Sequence, residues 1–131
     1  MITVLVDHNI EGQAALLLSA LVTEGWIELG VLRVKTFADV SLSVETSDRR
    51  LWEFAQENGM ILLTGNRNRD GEDSLEQTIL ARNLPTSTPV VTLANPDRIV
   101  ERDYRDVCVI KLVEICLEFE RYLGTGRLYI P

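Results

Sequence analysis

Met60-Ile-Leu-Leu-Thr-Gly-Asn-Arg-Asn-Arg-Asp-Gly-Glu-Asp-Ser-Leu-Glu76 is a short apolar run that breaks into a polar loop and restarts as a helix at Ser74. Strand, loop and helix in that order form the repeating unit of an open parallel sheet. In such sheets, ligands bind outside the carboxyl ends of the strands. The polar stretch from Gly65 to Glu72 exceeds the roughly 2–6 residues that a plain strand-to-helix connection takes. It is therefore expected to form one wall of an acidic site, with Asp7 and Asp48 as the others.

Outward from this stretch the same alternation continues. Ile2–Val6 is apolar and stops at Asp7, which predicts a first strand buried on both faces. Asn9 is a candidate cap for a helix running to about residue 23, with Ala14, Leu17, Leu18 and Leu21 inward. Residues 31–37 predict a second strand, and Arg33 and Lys35 on one side of it suggest a sheet edge. Ser47 reads as the N-cap of a helix carrying Leu51, Trp52, Phe54 and Ala55, closed by Asn58-Gly59. Residues 60–63 predict the third strand. Asp73-Ser-Leu-Glu76 then reads as a capping box with Glu76 at its third position. Residues 90–94 predict a fourth strand, Asn95-Pro96 opens a short helix, and residues 104–123 carry a helical apolar stripe. Arg127–Ile130 is a short last strand. The expected fold is a single α/β domain over residues 1–131, three-layered, with a mainly parallel sheet of about four to five strands.

Composition narrows the function classes. The chain has 131 residues, 46% of them apolar, enough for one real core. No apolar run reaches the roughly 18–20 residues of a membrane span, and the start lacks a signal-peptide pattern, so a cytoplasmic protein with no membrane partner is expected. Cys108 and Cys116 fall eight residues apart in one predicted helix. That spacing is about 12 Å along a helix axis, too far for a disulfide. With one His, a structural zinc site has too few ligands. A net charge of −7 argues against sequence-independent binding to bulk nucleic acid. It leaves room for a metal-dependent nuclease, whose carboxylates hold a cation that in turn attracts phosphate, and for a basic protein partner.

Each acid has a plain structural reading. Asp7 can be a turn acid, Asp48 a residue favoured by a helix dipole, Asp70 a solvated loop acid and Asp73 an N-cap. In a doubly wound topology, however, Asp7, Asp48 and Asp70 or Asp73 share one sheet edge. Converging carboxylates cannot all stay ionised without a cation. Oxygen-only ligands suit Mg²⁺ or Mn²⁺. Arg49, Arg50, Arg67 and Arg69 flank this edge and could hold phosphates, or simply balance the local acids. His8 is a candidate base or ligand, or an ordinary exposed His.

The run Asp48-Arg-Arg-Leu-Trp-Glu-Phe-Ala-Gln-Glu-Asn-Gly-Met-Ile-Leu-Leu-Thr64-Gly-Asn66, with Asp7 after the first strand, resembles the PIN and PIN-like domains, which include the VapC-type toxin ribonucleases. The short Asp7-x-Asn9 start and the Ser47-Asp48 pair are closer to the compact PIN-like branch. The resemblance implies a metal-dependent endoribonuclease with Asp7, Asp48 and Asp70 as catalytic acids. Asp7, Asp48, Asp70 and Asp73 would be metal ligands, Asp73 competing with Asp70 for the loop position. Thr64, Asn66, Arg67 and Arg69 would contact substrate. The family's further Glu has only Asp39 and Glu45 as counterparts by location. The implied partners are RNA and an antitoxin-like protein; separately, the hydrophobic final helix could form a homodimer, or its stripe could simply be core. Asn66 and Asn68 are amides where some relatives carry acids. That departure keeps open a catalytically inactive PIN-like protein acting as an RNA- or protein-binding module. A receiver-like signalling domain is a third class, but it needs an Asp directly after the middle strand, where this chain has Thr-Gly-Asn, and a strand-end Lys.

Overall fold

A computed structural model describes residues 1–67 and 70–131. Its strands are β1 (Ile2–Val6), β2 (Leu32–Lys35), β3 (Ile61–Thr64), β4 (Val90–Leu93) and β5 (Arg127–Ile130). Its helices are α1 (Glu11–Thr23), α2 (Asp48–Glu57), α3 (Leu75–Arg82) and α4 (Arg102–Leu117). Among the described residues, the five strands form one sheet in the order β2-β1-β3-β4-β5, and every neighbouring pair is parallel. The fold is thus a single α/β domain with helices on both sides of a parallel sheet, as the alternating pattern predicts. The edge placement of β2 also matches its charged side chains.

Alternation along the strands divides the core in two. Val4, Val6, Ile61, Leu63, Val91 and Leu93 pack with α1 and α4, against Leu17, Leu21, Val109 and Leu112. Leu5, Leu62 and Val90 pack the other way, with Leu51, Trp52 and Ala55 of α2 and Leu75 and Ile79 of α3. Each such apolar side chain contributes about 1.5–3 kcal/mol when fully buried. Cys108 and Cys116 are both buried and free on α4, and burial pushes their thiols up to about 11 and about 12, so both stay protonated.

Element ends depart from the sequence reading in instructive ways. The chain enters α1 through a 3-10 turn, His8–Ile10, and no side chain caps the helix, so Asn9 is not its N-cap. The last helix stops at Leu117 and continues as a separate 3-10 turn, Phe119–Tyr122. The N-cap of α3 is Ser74, whose hydroxyl accepts from the Gln77 amide, so Asp73 lies outside the helix and Glu76 is one place nearer the cap than a capping box requires. Ser47 caps α2 as expected, accepting from the Arg50 amide. The strand predicted over 60–63 runs one residue further, to Thr64.

Candidate functional site

Strand order reverses at β1 and β3: from β1 the chain goes out to β2, then crosses back to β3. Crevices at such a switch point lie outside the carboxyl ends of the strands. Asp7 and Thr64 stand there side by side, because Val6 pairs with Leu63 and the Asp7 amide donates to the Leu63 carbonyl at 2.8 Å. Thr64 Oγ1 donates to Asp7 Oδ2 at 2.7 Å and accepts from the Asn66 amide at 2.9 Å. Asn66 Nδ2 then donates to Asp48 Oδ2 at 2.9 Å, so the first turn of α2 is tied to the end of β3.

Local structure makes this possible. Thr64 is fully buried, which leaves its hydroxyl no partner but protein. Gly65 turns the chain where a Cβ would stand 3.0 Å from Ile10 Cγ2 and 3.1 Å from Pro96 Cγ, so any other residue there would push these side chains back by a few tenths of an ångström. Asp7 is 6% exposed. Burial raises its pKa above the usual carboxylate value. The Thr64 hydrogen bond and the nearby Asn9 amide and His8 oppose this, and the Asp48 charge adds to it. The Asn9 amide favours the charged form without making a capping hydrogen bond.

Asp73 is exposed and faces Arg49 at 3.7 Å. Arg49 and Arg50 are engaged with Glu53 and Glu57 along α2. Arg67 is exposed and donates to the Ala94 carbonyl at 3.1 Å, fastening the loop to the end of β4. Asp39 caps its own turn through the Thr36 amide, which holds its carboxyl below the usual range. His8 bonds Glu11 Oε2 at 2.8 Å. Asp70 lies exposed in the loop, and Glu45 is exposed in the connection before α2. Arg69 and Asn68 lie outside the described residues. Among the described residues, no three His, Cys, Asp or Glu side chains come together to hold a metal ion.

No family model, curated protein or solved structure matches this chain. The reading of the site therefore rests on its own residues.

Three residues of the site escape a sequence reading. Thr92 pairs with Thr64 across β3 and β4 and is fully buried. Arg127 at the start of β5 donates from Nη1 to the Asn66 carbonyl at 2.8 Å and to Thr92 Oγ1 at 2.6 Å. Glu76 on α3 reaches Arg127 Nη2 at 3.4 Å. One signal was available: Ile-Leu-Leu-Thr and Val-Val-Thr-Leu each set a single Thr in a buried strand. Nothing local marks Arg127, which reads as an edge-strand charge.

The described residues form no closed metal cage; what Asp7 and Asp48 offer a divalent cation is two carboxylates. Mg²⁺ is commonly held by one or two carboxylates while keeping several waters or substrate oxygens. Asp7 and Asp48 supply two carboxylates whose mutual repulsion a cation would relieve.

Proposed function

We propose that this chain is a divalent-cation-dependent endoribonuclease of the PIN-like type. The observation that carries the reading is the pair of acids at the switch point, Asp7 and Asp48, joined through Thr64 and Asn66. Asp7 and Asp48 would hold Mg²⁺ or Mn²⁺ between them; Asp70, exposed in the adjoining loop, forms no three-acid group with them. When bound, such an ion supplies charge stabilisation to a phosphate and lowers the pKa of water. The chain's own part is to present two carboxylates at a fixed spacing. Thr64 does this by donating to one of them, Asn66 by donating to the other. RNA as the substrate comes from the PIN-like resemblance of the residues from Asp48 to Asn66.

The partners implied are a basic antitoxin-like protein and a second copy. The net charge of −7 supports the first. Exposed Val107, Ile110 and Leu117 on α4 support the second, since contiguous exposed apolar side chains are common at interfaces. No helix among the described residues is long and apolar enough to cross a membrane.

A specific observation favours a second reading, an inactive PIN-like binding module. The Asn66 amide occupies Asp48 Oδ2, and amides are poorer metal ligands than carboxylates. The receiver-like reading has the least support. The strand order is one that receiver domains share, but Thr64-Gly-Asn66 follows where the phosphoacceptor Asp would be, and the last helices precede Arg127 rather than a strand-end Lys.

Metal titration separates the first two. Wild type should gain thermal stability in Mn²⁺ and cleave a mixed RNA panel, and Asp7→Asn and Asp48→Asn should abolish cleavage. A wild-type protein with no Mn²⁺ shift and no cleavage would overturn the nuclease reading and favour the binding module.

A further inference from the structure

The polar groups of the site do not end at Asp7 and Asp48. They continue across the sheet to a buried cation. The Arg127 side chain is only 6% exposed, and Glu76 beside it 21%. Nη1 is used twice, on Asn66 and Thr92, while Nε and Nη2 are buried without a hydrogen bond, Nη2 lying 3.4 Å from Glu76 Oε2. A guanidinium is costly to bury, and it is retained where its fixed fork does something a smaller or apolar side chain cannot.

Here the fork reaches the Asn66 backbone carbonyl. Asn66 has its amide on Thr64, its carbonyl on Arg127 and its side chain on Asp48. Asn66 thus links Arg127 to Asp48: it accepts from the first through its carbonyl and donates to the second through its side chain. Glu76 holds the guanidinium from the α3 side, so β3, β4, β5 and α3 all meet at the group that orients Asn66.

We infer that Arg127, backed by Glu76, is the positioning residue of this site: it holds the Asn66 backbone so that the Asn66 side chain sets the Asp48 carboxylate opposite Asp7. Its bearing on metal binding rests on the function proposed above; its bearing on Asn66 does not.

The test uses the full chain and two variants, Arg127→Met and Arg127→Lys, at a temperature well below each unfolding transition. The first readout is the NMR side-chain amide of Asn66. In wild type its protons should be shifted and protected by the bond to Asp48. Arg127→Met should move them towards free-amide values, and Arg127→Lys should restore them in part. The second readout is Mn²⁺ affinity, which Arg127→Met should weaken about 10- to 100-fold, the usual effect of losing a group that orients a ligand. A role in stability alone would lower the unfolding temperature and leave both readouts unchanged in the folded variant, and that result overturns the inference. Should Arg127→Met fail to fold, Arg127→Gln carries the same two measurements, and wild-type values for both would overturn the inference. If wild type binds no Mn²⁺ while the Asn66 amide still responds to Arg127, the metal reading falls and the positioning role stands.

Discussion

The two faces of the sheet are built from the same strands and do opposite things. On the α1/α4 face, Val6, Leu63 and Leu93 carry the apolar core up to the carboxyl edge. On the α2/α3 face, the apolar cluster stops at Leu5, Leu62 and Val90, and the next positions outward are Asp7, Thr64 and Thr92. One step of two residues along each strand changes packing into chemistry. The face that supports the site is the smaller core, and Asp7, Thr64, Thr92 and Arg127 there are tied into one hydrogen-bonded chain through Asn66. The first face should therefore tolerate loss of volume poorly, and the second should tolerate loss of a hydrogen-bonding partner poorly.

Three substitutions probe that contrast, from the largest expected effect to the smallest. Leu112→Ala opens a cavity in the α1/α4 core, where Leu112 is 1% exposed, and should cost about 2–5 kcal/mol in denaturant unfolding. A cost under about 1 kcal/mol would mean that this face is not close-packed. Thr64→Val keeps the volume and removes the hydroxyl. It strands Asp7 Oδ2 and the Asn66 amide, and should cost about 1–3 kcal/mol. It should also push the Asp7 pKa further up, since the Thr64 bond is what chiefly opposes burial. A carboxyl NMR titration reads that shift, and an unchanged titration would show that Asp7 does not depend on Thr64. Glu57→Gln on the outer side of α2 breaks only an exposed pair with Arg50 and should stay within about 0.5 kcal/mol of wild type.

Asp7 also gives the polar face a pH dependence on the acid side. Its folded pKa lies above the ordinary value of 3.8, chiefly because burial penalises the charge. The stability contributed by the protonated carboxyl is thus complete below about pH 3.8 and is lost as pH rises through the folded pKa. In metal-free buffer, the stability of Asp7→Asn relative to wild type should increase across that window and then level off. A constant difference between the two proteins from pH 3 to pH 8 would contradict a raised Asp7 pKa.

Much of this was legible in the sequence, and the rest was not for identifiable reasons. Apolar runs of four or five residues between helices specify buried parallel strands, so the layer count and the edge position of β2 could be read directly. Asp7, Thr64, Asn66 and Asp48 could be singled out because each sits where a strand ends or a helix begins. Helix ends were harder. Asp73 and Ser74 are both good caps in isolation, and tertiary packing, with Leu75 buried against β3, selected Ser74. Asp73 was then left to Arg49 on the surface.

What the sequence by itself determined is the alternation of strands and helices and the acids at their junctions, because hydrophobic period and capping chemistry are local. Only the tertiary structure decided which junctions meet. Asn66 reaches Asp48 across 18 residues, Thr64 reaches Asp7 across 57, and Arg127 reaches Asn66 across 61. No local pattern encodes those separations. They follow from strand order and register, which place β1, β3, β4 and β5 side by side and turn a buried arginine from the end of the chain into part of the site.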